Sequence, residues 1–250
     1  MANPLTIIMN LTNKKYVYLT NRGNDAIKQA LSHFKNKTIL IQDQGGWLTY
    51  KKYTKKYMEL KTNNTLINLK QLNQHKNQVL LLNSLSGYFT EQPMDKIVKA
   101  CKNNNITLIN DTSGSLGTDL ARKGDIIIGS FGKWKPVDLG YGGFIATNKD
   151  LEFHDTFDRS KLTELKFKLN NLQKRLKYLY AISSKVKKDL SGYNILNKPH
   201  KSLVVIVEYT IEKQKSEIIK YCKKNSLEYT ECPRYIRVNK KAISIEVKRK

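Results

Sequence analysis

Apolar residues along this chain follow two rhythms, and the change between them falls near residue 150. Before it they come in short unbroken runs at 16–20, 38–42, 79–83, 106–110, 125–129 and 143–147, such as Val79-Leu-Leu-Leu-Asn83. Runs of that length without alternation suit strands covered on both faces. Between them lie stretches with helical spacing, 25–34 and 94–104, the second opening just behind Pro93. Strands alternating with helices predict an α/β layered domain with a mostly parallel sheet. In such a sheet a ligand belongs at the carboxyl ends of the strands.

Beyond Asp150 the period lengthens. Leu162, Leu165, Leu169, Leu172, Leu176 and Leu179 recur three and four apart, and Val186 and Leu190 extend the seam. That is the narrow stripe of one long helix, packed along the first domain or, alternatively, against a second copy in a coiled coil. A strand at 203–209, a helix at about 211–225 and strands at 235–238 and 242–247 then make a small α+β unit. The expected organisation is a major domain over 1–155, a connecting helix over 156–192 and a small C-terminal domain over 193–250.

Charge adds one question to this picture. The 250 residues carry 45 Lys and Arg against 21 Asp and Glu, a formal charge of +24. Such a surplus suits a polyanionic partner, nucleic acid included. The lysines, however, are spread through the whole chain among many asparagines, which favours a solvated basic surface over a nucleic-acid site. In the densest cluster, Tyr50-Lys-Lys-Tyr53-Thr-Lys-Lys-Tyr57, the tyrosines stand three and four apart. Read as a helix, it is a core-facing aromatic stripe flanked by solvated lysines.

No apolar run approaches the ~18–20 residues that span a bilayer. The opening residues lack the basic and apolar regions of a signal peptide. A soluble cytoplasmic protein with no membrane partner is expected. Cys101, Cys222 and Cys232 are widely spaced and the histidines do not cluster, so neither a disulfide framework nor a metal site is expected.

Most of the chemistry lies between residues 106 and 147. Asp111 closes one buried run and is followed by Thr-Ser113-Gly114-Ser-Leu116-Gly117. Ser130 closes the next, with Phe131, Lys133 and Lys135 after it and Gly140-Tyr-Gly142-Gly143 behind. Singly, Asp111 reads as a turn cap, Ser130 as a turn hydroxyl and either lysine as a solvated one. Jointly, they bring a carboxylate, a hydroxyl and an amine to one edge of one sheet. Pyridoxal phosphate (PLP) needs that set: an amine to condense with its carbonyl, an anion opposite its ring nitrogen, and donors for its phosphate.

The pattern resembles the fold-type I PLP-dependent enzymes, closest to the DegT–StrS family of sugar aminotransferases. The resemblance covers about residues 16–150 and rests on Gly23-Asn24-Asp-Ala26-Ile27, Asn83 to Gly87, Asp111 with Leu116-Gly117, Ser130-Phe131 with Lys135, and the glycine turn at 140–143. It implies a PLP-dependent transferase, an aminotransferase moving an amino group between a small-molecule donor and a carbonyl acceptor. Lys135 is implied as the Schiff-base lysine, with Lys133 the alternative that the glycine register disfavours. Asp111 is implied at the ring nitrogen, Ser130 and the turn at Gly23 and Asn24 at the phosphate, and Trp47 stacked on the ring.

The family's polar residue three positions after its Asp is Gly114 here, with Ser113 or Ser115 as its substitute. Arg234 and Arg237 fall where a carboxylate-binding arginine is implied. A homodimer is implied too, its interface drawn from Tyr50, Tyr53 or the 140–143 turn. The same constellation also serves PLP-dependent lyases, desulfurases and enzymes modifying tRNA-linked amino acids. A degenerate form could act as a basic nucleic-acid-binding protein.

Overall fold

A computed structural model describes residues 3–250. The main sheet has seven strands: β1 (Tyr16–Thr20), β2 (Ile39–Gln42), β3 (Tyr57–Leu60), β4 (Val79–Asn83), β5 (Thr107–Asp111), β6 (Ile126–Ser130) and β7 (Gly143–Thr147). They lie in the order β1-β7-β6-β5-β4-β2-β3. Pairings among β3, β2, β4, β5 and β6 are parallel, and β7 alone runs antiparallel, between β6 and β1. The carboxyl ends of six strands and the start of β7 therefore share one edge.

The unbroken apolar runs are explained by two-sided burial. Ile39, Ile41, Val79, Leu81 and Ile109 pack on one face with Ala26, Ile27, Ala30 and Leu31 of helix α2 (Gly23–Ser32). Their neighbours Leu40, Leu80, Leu82 and Leu108 pack on the other face with Met94, Ile97 and Cys101 of α3 (Met94–Asn103). Alternate residues of each strand thus feed alternate layers.

Three expectations give way here. The 50–57 segment is not helical: Tyr50 ends a short 3-10 turn and is fully buried, while Tyr57 opens the exposed edge strand β3. Lys55 and Lys56 sit on the approach to that edge, where charge keeps an open strand solvated. Buried within its own subunit, Tyr50 has no surface to give to a dimer interface. The long helix is two, α4 (Leu162–Asn170) and α5 (Leu172–Asp189), broken at Asn171, whose side-chain amide donates to the Phe167 carbonyl. Its leucine seam is buried intramolecularly, which leaves nothing for a coiled-coil partner. Lastly, 235–238 is a turn rather than a strand, since Pro233 has no amide hydrogen to continue a ladder.

The third strand of the small sheet is instead β9 (Tyr229–Cys232), which pairs with β10 (Ala242–Ile245), itself paired with β8 (Val205–Glu208). Helix α6 (Glu212–Lys224) packs on β10. An apolar cluster runs unbroken from Phe131 and Phe144 through Leu169 and Leu176 to Val205 and Ile243. The chain opens with α1 (Pro4–Thr12), capped by the Asn3 side chain and carrying Pro4 at its first position, an element the run pattern does not predict.

Candidate active site

The carboxyl edge of the sheet opens into a cavity of about 580 Å³. Gly23, Asn24, Trp47, Asp111, Ser113, Ser130 and Lys135 all line it, as do Arg234 and Arg237 from the C-terminal segment. Every residue the sequence nominates is therefore at one place. Their roles differ from expectation at several points.

Asp111 sits at the end of β5, 4% exposed. Its Oδ1 accepts the Ser113 amide at 2.9 Å and its Oδ2 accepts the Tyr50 hydroxyl at 2.5 Å. Burial and the adjacent carboxylate hold the Tyr50 phenol well above its ordinary pKa, so it stays a donor. Among the described residues no cation lies within ion-pair range of Asp111. Beside it, the buried Asn83 Oδ1 has no hydrogen-bond partner.

β1 leads through Arg22 into the first turn of α2, which no side chain caps. Only glycine fits at 23, because a Cβ there would lie 2.5 Å from the Ser130 Cβ. Helix start and Ser130 are thereby pressed together, and unsatisfied amides at a helix start favour an anion. The Ser130 hydroxyl accepts the Gly132 amide at 3.1 Å. Asn24 turns its Oδ1 to the Trp47 indole N–H (2.9 Å) and the Thr49 hydroxyl (3.1 Å), and so holds Trp47 over the cavity rather than facing a phosphate itself.

The half-buried Lys135 donates from Nζ to the Tyr88 hydroxyl at 2.6 Å, with Nζ 5.5 Å from the Trp47 ring centroid. Lys133 is exposed at the cavity's rim. Gly114 is explained by Tyr88, since a Cβ at 114 would meet that ring at 2.9 Å. Tyr88 fills the space that a polar side chain at 114 would need. Ser115 is turned away, its hydroxyl bonded to that of Ser84 at 2.7 Å.

Arg237 is not available to a substrate. It is buried and clasps Glu246 with Nη2 at 2.7 Å from Oε2 and 2.9 Å from Oε1. Arg234 lines the cavity without an acidic partner among the described residues. Spacing does not single out Tyr88, Lys248 or Arg249, which line the cavity as well. A lysine or arginine in so basic a chain carries no signal of its own. None of the three cysteines lines the cavity; all are buried, with burial pushing Cys101 up to about 12.

No family model matches this sequence, and no curated protein matches it. Solved structures do match. An aminotransferase described as DegT DnrJ EryC1 StrS, from Brucella abortus, superposes with TM-score 0.77 at 12% identity, covering 97% of this chain and 83% of that one. Serine palmitoyltransferase of Sphingomonas wittichii gives 0.73 at 12%, covering 97% and 69%. A serine palmitoyltransferase described with a PLP internal aldimine gives 0.72 at 13%, covering 97% and 70%. The chain has the fold of the fold-type I PLP-dependent enzymes.

Proposed function

We propose that the protein binds PLP in this cavity and works as an aminotransferase-like enzyme, with Lys135 as the amine that condenses with the cofactor. One observation carries the reading. A lysine amine, a buried carboxylate with no cation beside it, and the uncapped start of α2 against Ser130 all face one cavity of about 580 Å³. An uncompensated buried carboxylate is costly, and a protonated ring nitrogen is the partner that would offset it. The orphaned Asn83 Oδ1 offers a further acceptor at the same wall.

When bound, PLP supplies a carbonyl carbon that condenses with amines and a cationic ring that withdraws electrons from the carbon next to that nitrogen. The chain's own groups then divide the work. Ser130 and the first turn of α2 would hold the phosphate. Asp111, fixed by the Tyr50 hydroxyl and the Ser113 amide, would hold a proton on the ring nitrogen. Trp47, braced by Asn24, covers the ring and excludes water, which strengthens the electrostatics inside. Lys135 Nζ would move a proton at the donor's α-carbon, and the Tyr88 hydroxyl to which it donates would steer it there.

Incubation with PLP tests this directly. A visible imine absorbance band is expected, absent in Lys135→Ala. Borohydride reduction followed by peptide mass spectrometry is expected to leave the adduct on Lys135. No band, or an adduct confined to Lys133 or surface lysines, overturns the reading. Release of a keto acid from an amino donor then separates transamination from lyase chemistry.

A further inference from the structure

Glu246 is a single anion in a buried group of cations. Its Oε1 accepts from Arg237 Nε (3.1 Å), Arg237 Nη2 (2.9 Å) and Ser244 Oγ (2.8 Å), and its Oε2 accepts from Arg237 Nη2 (2.7 Å). That forked clasp commits the carboxylate's charge to Arg237. Lys248, two residues on and also buried, reaches the same Oε2 only at 3.4 Å. Arg249 is neutralised elsewhere, by Glu228 at 2.6 Å, with its Nε 3.9 Å from Glu246. From α5, Arg175 holds the turn by donating to the carbonyls of Lys248 (3.5 Å) and Lys250 (2.9 Å). Buried charge is therefore Arg237 and Lys248 against Glu246, one cation too many.

The surplus faces the cavity. Lys248 lines it, with Nζ 5.2 Å from the Tyr88 ring and 5.4 Å from the Trp134 ring. The same Tyr88 ring lies 4.9 Å from Lys135 Nζ, so both amines attend one aromatic group. Tyr88 and Trp134 both hold a left-handed backbone (φ 65 and 63), a strained state for an aromatic residue that tends to gather at functional sites. A buried surplus cation beside an open cavity has two ways to be relieved. It can shed its proton, or it can pair with an anion that enters.

We propose that Lys248 is a proton-linked anchor for an oxyanion on the substrate, a carboxylate or a phosphate, with Arg234 as the second cation of that subsite. The inference rests on the cavity being the reaction site and assigns the role expected of Arg237 to a different residue. Burial, opposed by Glu246 and assisted by Arg237, Lys135 and Arg249, brings the free Lys248 amine down to about 7. An arriving anion restores the balance and the amine takes a proton from solvent. Anion affinity is then flat below about pH 7 and falls by about tenfold per pH unit above it.

Calorimetric titration, in buffers of differing ionisation heat, reads both affinity and proton uptake. It is run on the cofactor-free protein and then on the PLP-loaded form, in which Lys135 no longer adds its charge. Succinate probes a carboxylate-bearing substrate and sulfate a phosphate-bearing one, and neither titrates in the range that matters. Uptake of about one proton near pH 8 is expected with at least one of them. Lys248→Arg is expected to keep binding but lose the uptake and the pH dependence, because its charge is fixed. Lys248→Met is expected to weaken binding at least tenfold. Binding of neither anion, binding without proton uptake, or unchanged binding in Lys248→Met overturns the proposal. Should the wild-type protein take no PLP, the proposed function fails separately. The Lys248 variants still decide the anion site in cofactor-free protein.

Discussion

Two carboxylates are buried within reach of one cavity, and they are satisfied in opposite ways. Asp111, at the edge of the large sheet, accepts from a neutral phenol and a backbone amide and meets no cation among the described residues. Glu246, at the end of the chain, is clasped by Arg237 and approached by Lys248. The first arrangement leaves an anion with unmet demand, the condition for binding a cationic ring. The second leaves a cation with unmet demand, the condition for binding an anionic substituent. One cavity thus presents opposite electrostatic deficits at two walls, an arrangement that under the proposed function would orient a ligand bearing both kinds of group.

The contrast is broken most easily at Glu246. Glu246→Gln strands two buried cations, and a loss of about 3–5 kcal/mol is expected in urea unfolding. Asp111→Asn strands none and is expected to cost far less while abolishing tight PLP binding. Comparable losses for the two would erase the distinction. Acid titration sharpens it. The cations beside Glu246 outweigh the effect of its burial and hold its carboxyl at about 2, below its ordinary 4.5. Its contribution, about 3 kcal/mol, is complete above pH 4.5 and lost as pH falls through 2. Lys248 acts in the other direction. Its folded-state value near 7 lies below the ordinary 10.5, so the unfolded chain binds more protons between them and stability rises with pH across that window. Glu246→Gln is expected to lose the acid limb.

The Asp111 wall is tested by Tyr50→Phe. The ring is fully buried and phenylalanine keeps its packing, so the change removes one hydrogen bond to a charged group, worth about 1.5–3 kcal/mol. A purely structural tyrosine would lower stability alone. If Tyr50 holds Asp111 in plane for the ring nitrogen, PLP affinity and the pH midpoint of the visible band shift as well. An unchanged spectrum in a destabilised Tyr50→Phe protein would remove Tyr50 from the site.

The two walls also differ in how far the sequence discloses them. Asp111 and Ser130 are legible because each closes an apolar run whose end lies at the sheet edge. Gly23 and Lys135 follow such run ends within a few residues at the spacing of the resemblance, so chain order and spatial order coincide. Tyr50 belongs to that wall but is misread as one of a helical stripe. The four-residue edge strand at 57–60, Tyr-Met-Glu-Leu, is too short to show a period of its own behind a run of lysines. At the other wall nothing local distinguishes Lys248 from the rest of a lysine-rich chain. The role proposed for it depends on Tyr88 and Trp134, more than a hundred residues away in sequence, and on Glu246 being already committed. Arg237 reaches the cavity wall, but its charge partner Glu246 lies across the turn, and pairing of that kind is set by tertiary packing alone.

The smallest expected effect on stability, and the finest test of how the walls communicate, is Gly114→Ala. The residue has no left-handed backbone to forbid alanine, so the added methyl reduces unfolded-state freedom by up to about 1 kcal/mol. Against this, the new Cβ would lie 2.9 Å from the Tyr88 ring, which must shift and costs a similar amount. Net stability is expected to stay within about 1 kcal/mol of the parent. The displaced ring, however, carries the hydroxyl that receives Lys135 and the face that Lys248 attends. The rate of borohydride trapping at Lys135 and the proton uptake at Lys248 are therefore expected to change together. Change in one without the other would mean that Tyr88 serves only one amine, and that the two walls act independently.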